Sequence, residues 1–120
     1  MKAKDALGRQ GEDVAASYLV DHGFAVLERN WRCEHGEIDL VCVDGRDTVF
    51  VEVKTRSSTA FGHPFEAITH TKLARLRRLA SAWCEAQTAV RPGVIRIDVV
   101  SVLIRDGGLP VVEHLRGVFQ

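Results

Sequence analysis

The sequence predicts one α/β domain, a mixed central sheet flanked by helices in the order α-β-β-β-α-β-β. Three observations predict it. Two stretches repeat their apolar residues at helical spacing. Five stretches rich in β-branched or aromatic residues lie between and after them, and turn-forming residues separate most of these segments. The chain is 120 residues long, enough for one core and no second domain.

The elements follow in order. From about Asp5 to His22, residues Leu7, Val14, Ala15, Tyr18, Leu19 and His22 recur at helical spacing, and Gly23 stands where a helix stops. "FAVLERNWR" is a predicted strand. "GEIDLVCVD" and "DTVFVEVKT" are two more, joined by the turn-forming "DGRD". "SSTAFGHPFEA" has loop chemistry. Thr69 then offers an N-cap to a second helix running to about Gln87, with Leu73, Leu76, Leu79, Ala80 and Trp83 on one stripe. "RPG" ends it, "VIRIDVVSVLI" is strongly β-prone, and a short final strand, "PVVEHL", follows "RDGGL".

Composition restricts function less. Hydrophobic content of 46% and charged content of 27% are those of an ordinary globular protein. The formal net charge is zero, so a nucleic-acid or membrane partner would have to be met by a local patch. Cys33, Cys42 and Cys84 are odd in number and widely spaced, which fits a reducing compartment better than a disulfide framework. "MKAKDALGRQGED" lacks the apolar segment of a signal peptide, and the longest apolar run, Val99 to Ile104, is far too short to span a membrane. A soluble cytoplasmic protein is the expectation. Cys33, His35 and the histidines of the mid-chain fit no standard zinc spacing.

The chemistry concentrates in one hairpin. Side chains alternate along a strand, so Glu52, Lys54 and Arg56 share a face with Phe50, opposite Val49, Val51 and Val53. Glu37, Asp39, Val41 and Val43 share a face of the preceding strand. If Gly45-Arg46 is a two-residue loop, or "DGRD" a four-residue one, Val43 pairs with Thr48 and Asp39 lies directly opposite Glu52. With Asp44-Gly45 as the loop the two are diagonal but still on one face. Carboxylates roughly 5 Å apart repel by about 3 kcal/mol at an effective dielectric near 20. Such a pair persists when one is protonated, when Lys54 compensates, or when a hard cation sits between them. A solvent-facing charge ladder is the plainer alternative. Glu12 lies at the border of the first helix's apolar arc, beside Leu19. Lys72 lies inside that of the second, between Leu79 and Trp83, where snorkelling is its simpler explanation.

"GRQGEDVAASYL", "GEIDLVCVD", "VFVEVKTRSS", "AITHTKLARL" and "RIDVVSV" occur in this order along nearly the whole chain. Together they resemble the YraN family of small bacterial endonuclease-like proteins. That family is similar to the PD-(D/E)xK superfamily, with its restriction-endonuclease-like α-β-β-β-α-β core, and to archaeal Holliday-junction resolvases within it. The resemblance implies a metal-dependent endonuclease acting on DNA, branched or junction DNA included, with Mg²⁺ or Mn²⁺ as cofactor. It assigns Asp39 to the "D" position, Glu52-Val53-Lys54 to the "ExK", and Glu12 to the acidic residue of the first helix. Ile38 stands where proline often precedes that aspartate. Asp39 and Glu52, with the Val53 carbonyl, would hold the metal. Lys54 would orient or polarise the attacking water.

Lys54, Arg56, Lys72, Arg75, Arg77 and Arg78 face only Glu66 in opposite charge between Lys54 and Arg78. Of these, Arg56, Lys72 and Arg75 are the candidate phosphate contacts. Glu37 is a further ligand or a rim charge, and Phe61 and His63 in the loop are weaker candidates for bases or sugars. Asp98 is read as a strand acid paired with Arg96 or the basic helix, without a catalytic role. The alternative function is a nucleic-acid-binding module that keeps the fold and cuts nothing. A homodimer is compatible with the resolvase resemblance, since a four-way junction offers paired cuts, but no residue pattern specifies one.

Overall fold

A computed structural model describes residues 3–58, 62, 65, 68–87 and 93–118, with side chains from residue 6 onward. Helix α1 (Ala3–Asp21) is followed by strands β1 (Ala25–Cys33), β2 (Gly36–Asp44) and β3 (Asp47–Arg56). Helix α2 (His70–Ala86) and strands β4 (Val94–Leu103) and β5 (Val111–Leu115) complete the expected order. Phe61, His63 and Glu66, and the "RP" after α2, lie outside the described residues.

Local chemistry accounts for the ends of the elements. Gly23 adopts φ +90°, its amide reaches the Val20 carbonyl at 3.1 Å, and the Phe24 amide reaches that of Leu19 at 2.9 Å. This double closure terminates α1 and turns Phe24 into the core. Thr69 caps α2 as expected, its hydroxyl accepting from the Lys72 amide at 3.2 Å. Gly45 at φ +61° opens the β2–β3 turn between the paired Asp44 and Asp47, so the loop is Gly45-Arg46.

The sheet runs β1-β2-β3-β4-β5, antiparallel throughout except for the parallel pair β3–β4. A parallel pair needs a crossover, and the segment containing α2 supplies it. The two helices take opposite faces. Ala15 and Leu19 of α1 pack with Leu40, Cys42, Val49, Val51, Val100 and Val102. Leu76, Leu79, Ala80 and Trp83 of α2 pack with Ile38, Val41, Phe50 and Ile97. Strands covered on both faces must be apolar on both, which explains the nearly unbroken burial from Thr48 to Glu52 and from Ile97 to Leu103. Among the described residues no helix is long and apolar enough to cross a membrane.

One buried acid ties the far parts of the sheet together. Asp98 is fully buried and accepts from Arg96 through both oxygens, at 2.9 and 3.1 Å. The His114 ring lies 2.8 Å away and the Gly117 amide donates at 2.9 Å. Arg96 also reaches Asp44 and Asp47, each at 3.0 Å, so it braces the β2–β3 turn. Burial alone would raise the Asp98 carboxyl, but His114, Arg96 and Gly117 outweigh it and hold the group below its usual value of 3.8.

Removing one partner from such a cluster strands the others in a dry site. Asp98→Ala should cost about 3–5 kcal/mol in urea unfolding at pH 7. Because the folded carboxyl lies below its unfolded value, the wild-type contribution should persist down to about pH 4 and disappear only below it. A variant as stable as the wild type at pH 7 would remove Asp98 from this role.

Candidate active site at the end of the β2–β3 ladder

The β2–β3 pairing runs from Asp44↔Asp47 through Val43↔Thr48 to Leu40↔Val51 and ends there. One step further along that register stand Asp39 and Glu52, the pair expected from the alternation. Beyond the ladder's end the Val53 amide donates to the Asp39 carboxylate, Oδ2, at 2.8 Å. The alternation of β2 also breaks at this level, because Ile38 packs on the α2 side whereas Leu40 packs on the α1 side. Across from Asp39, between the pairs Arg29↔Leu40 and Trp31↔Ile38, lies Asn30, the one non-glycine residue at positive φ (+54°) among the described residues. Asparagine tolerates that conformation better than most residues.

Glu12 arrives from α1 because Gly11 lets the helix approach closely. A Cβ on Gly11 would fall 1.9 Å from Thr55 Oγ1 and 2.5 Å from Cγ2, so only glycine permits this contact. The next residue then meets the sheet's acids: Glu12, Glu37 and Asp39 each present an oxygen within 4.8 Å of the others. Burial raises the Glu12 carboxyl above its usual value, a hydrogen bond with Asn30 opposes the shift, and Glu37 adds to it. Glu37 is itself held by Arg32 Nε at 2.6 Å.

Asp39 is the most perturbed of these acids. Burial and the neighbouring Glu52 push its carboxyl up to about 8, against the opposing Val53 amide. The shift favours its neutral form, one of the ways close carboxylates coexist. Glu52 is compensated differently. Its buried Oε2 lies 3.2 Å from Arg75 Nη2 and 3.9 Å from Lys54 Nζ. Arg75 lies against Gly36, whose φ of +131° suits glycine, and a Cβ there would be 3.5 Å from Arg75 Nη1. The Lys54 side chain is 34% exposed, within reach of both solvent and the acids.

The structure thus gathers Glu12, Asp39, Glu52, Val53, Lys54 and Arg75, and adds Glu37. Lys72 lies one turn before Arg75 on α2, and the ion pairs described for Glu52 go to Arg75 and Lys54. Arg56 is diverted, since its guanidinium bonds the Gly62 carbonyl. Gly11 and Asn30 were not singled out by sequence reasoning. Gly11 stands within the quoted "GRQGED", but its role needs the Thr55 contact, and a mid-strand asparagine carries no signal of its backbone angle.

A family model described as "Uncharacterised protein family UPF0102" matches residues 11–102. The chain is 58% identical over 118 residues to the UPF0102 protein of Arthrobacter sp. (strain FB24), covering 98% of this chain and 99% of the relative. It is 59% identical over 118 residues to that of Beutenbergia cavernae, with the same coverage. The Frankia alni UPF0102 protein is 55% identical over 119 residues, covering 99% of this chain and 98% of its own. These names state no activity.

Two substitutions test the geometry. Gly11→Ala should force α1 away from Thr55 and cost about 1–3 kcal/mol in thermal or urea unfolding, and an unchanged midpoint would contradict the close contact. Asp39→Asn should stabilise the metal-free protein at high pH. A folded carboxyl at about 8 favours folding most below pH 4, and the benefit is lost as pH rises through 8. With the carboxyl raised from 3.8 to about 8, and at roughly 1.4 kcal/mol per pKa unit, the variant should gain several kcal/mol relative to wild type between pH 4 and 9. A difference that stays flat with pH would refute the raised Asp39.

Proposed function

The chain belongs to the uncharacterised protein family UPF0102, and we propose that it is a metal-dependent endonuclease hydrolysing phosphodiester bonds in DNA, with branched or junction DNA in repair or recombination as its substrates. The observation that carries this reading is the convergence of Glu12, Asp39 and Glu52, from three different elements, beside Lys54. A merely exposed charge ladder would leave Asp39 solvated and Glu52 open, whereas Asp39 is partly buried, Glu52 is buried, and their repulsion is retained.

The donor set fits a hard divalent cation. Glu12, Glu37 and Asp39 each present an oxygen within 4.8 Å of the others, Glu52 lies beside Asp39, and carboxylate oxygens are the ligands such an ion takes. Asp39 and Glu52 would hold Mg²⁺ or Mn²⁺, with the Val53 carbonyl beside them and Glu12 or Glu37 taking a further ligand or its water. Bound there, the ion would supply Lewis acidity toward the phosphate and a water of lowered pKa.

The chain's own groups do the remainder. As a ligand Asp39 would be the carboxylate, its proton lost to solvent, and Arg75 beside Glu52 would be the α2 cation nearest a phosphate oxygen. Lys54 orients the attacking water or offsets negative charge developing on the phosphate. Lys72 adds positive charge to the same helix. One observation favours the second reading, a binding module without turnover: Arg75 already neutralises Glu52, as a side chain would in a site that takes no metal.

Cleavage of labelled junction, flap, single-stranded and duplex DNA with Mg²⁺, Mn²⁺ or EDTA separates the two. The nuclease should cut only with metal. Asp39→Ala, Glu52→Ala and Lys54→Ala should each lose at least about 100-fold in rate while still binding DNA. Cutting that persists in EDTA, or equal cutting by the three variants, would sink the catalytic assignment. Salt-sensitive binding without cleavage under any metal supports the binding module.

A further inference from the structure

Beyond Arg75 the same stripe of α2 continues through Arg78 and Ala82 to Glu85, at spacings of three and four residues. The β1–β2 turn, with His35, stands opposite. Between them lies an open groove of about 310 Å³ lined by His35, Arg77, Arg78, Ser81, Ala82 and Glu85. It adjoins the candidate site: Gly36 follows His35, lies against Arg75, and Arg75 is bonded to Glu52.

We infer that this groove is a second phosphate subsite, holding a non-scissile phosphate of the same nucleic-acid strand whose reacting phosphate lies at the carboxylates. The inference rests on the nuclease reading above. Arg78 offers the planar fork that suits phosphate oxygens. The Ser81 hydroxyl and a His35 ring nitrogen are further donors, and Ser81 and Ala82 are small enough to leave the floor open. Arg78 lies roughly 4.5 Å and Ser81 roughly 9 Å beyond Arg75 along the helix. That span corresponds to about one to three nucleotides at roughly 3.4 Å of rise each.

The acidic groups set the limits of the subsite. Glu34, 85% exposed, lies 3.5 Å from His35 Nε2 and can move aside into solvent. Glu85 lies at the far end of the stripe, where its charge opposes a further phosphate, so the strand leaves the helix there. Such a contact positions the backbone and reads no bases.

The test is fluorescence anisotropy with labelled single-stranded, duplex and four-way-junction DNA in EDTA, between about 50 and 200 mM salt. Arg78→Ala and Ser81→Glu should weaken binding about 3- to 10-fold at low salt, and Arg78→Ala should flatten the salt slope by about one. Glu85→Gln should tighten binding. Arg46→Ala, exposed in the β2–β3 turn at the opposite end of that ladder from Asp39 and Glu52, should change nothing and controls for net charge. Arg78 and Ser81 are exposed, so circular dichroism melts should match wild type. If wild type binds but Arg78→Ala and Ser81→Glu superpose on it, the subsite is wrong and the nuclease reading stands. If wild type binds no DNA at all, both fall.

Discussion

The hydrogen bond from the Val53 amide to the Asp39 carboxylate is the contact on which the rest of the site depends. A sheet normally satisfies its amides with backbone carbonyls, and here a side chain takes that place just beyond the last β2–β3 pair. Holding Asp39 at this position brings it beside Glu52 and within reach of Glu12. Each of those neighbours then acquires a constraint of its own. Glu12 requires an α1 docked closely enough that Gly11 touches Thr55, and Glu52 requires a counter-charge from α2. Both helices therefore reach one level of the sheet from opposite faces.

Buried Asp98 and half-buried Asp39 sit in environments that push in opposite directions. Asp98 is surrounded by Arg96, His114 and the Gly117 amide, and these more than repay its desolvation. Asp39 has one amide donor against two acidic neighbours, so burial and repulsion dominate. The first arrangement joins β4, β5 and the β2–β3 turn. The second places a poorly solvated carboxyl about five residues along β2 from Asp44, roughly 16 Å away, at the expense of stability as pH rises. The same strand pair carries both, which allows one end of the sheet to be rigid while the other is electrostatically strained.

Helix α2 joins these themes to the surface. Its apolar stripe, Leu73, Leu76, Leu79, Ala80 and Trp83, is fully committed to the core. The adjoining stripe begins with Arg75, paired to Glu52, and proceeds to Arg78 and the groove beside His35. A single helix rotation fixes both. A zero net charge for the whole chain is thus compatible with a locally basic track, because acids such as Asp44, Asp47 and Asp98 are spent on Arg96 elsewhere.

Much of the fold was legible in the sequence because it is written in short-range periodicity. The element order, Gly23 and Thr69 at helix ends, and the Gly45-Arg46 turn that pairs Val43 with Thr48 all follow from spacings within one helix or hairpin. The pairing of Arg96 with Asp98 lay two residues apart on a strand and was equally accessible. What tertiary structure alone decided depends on how separate elements dock. Glu12 joins the acids through the Gly11–Thr55 contact, Arg75 reaches Glu52 through the rotation of α2, and Arg56 is drawn away by Gly62. The positive φ of Asn30 and the broken alternation at Asp39 belong to the same class. Periodicity assigns a side chain to a face, but distances of a few ångströms between elements are set by packing, and the site's charge balance is a function of those distances.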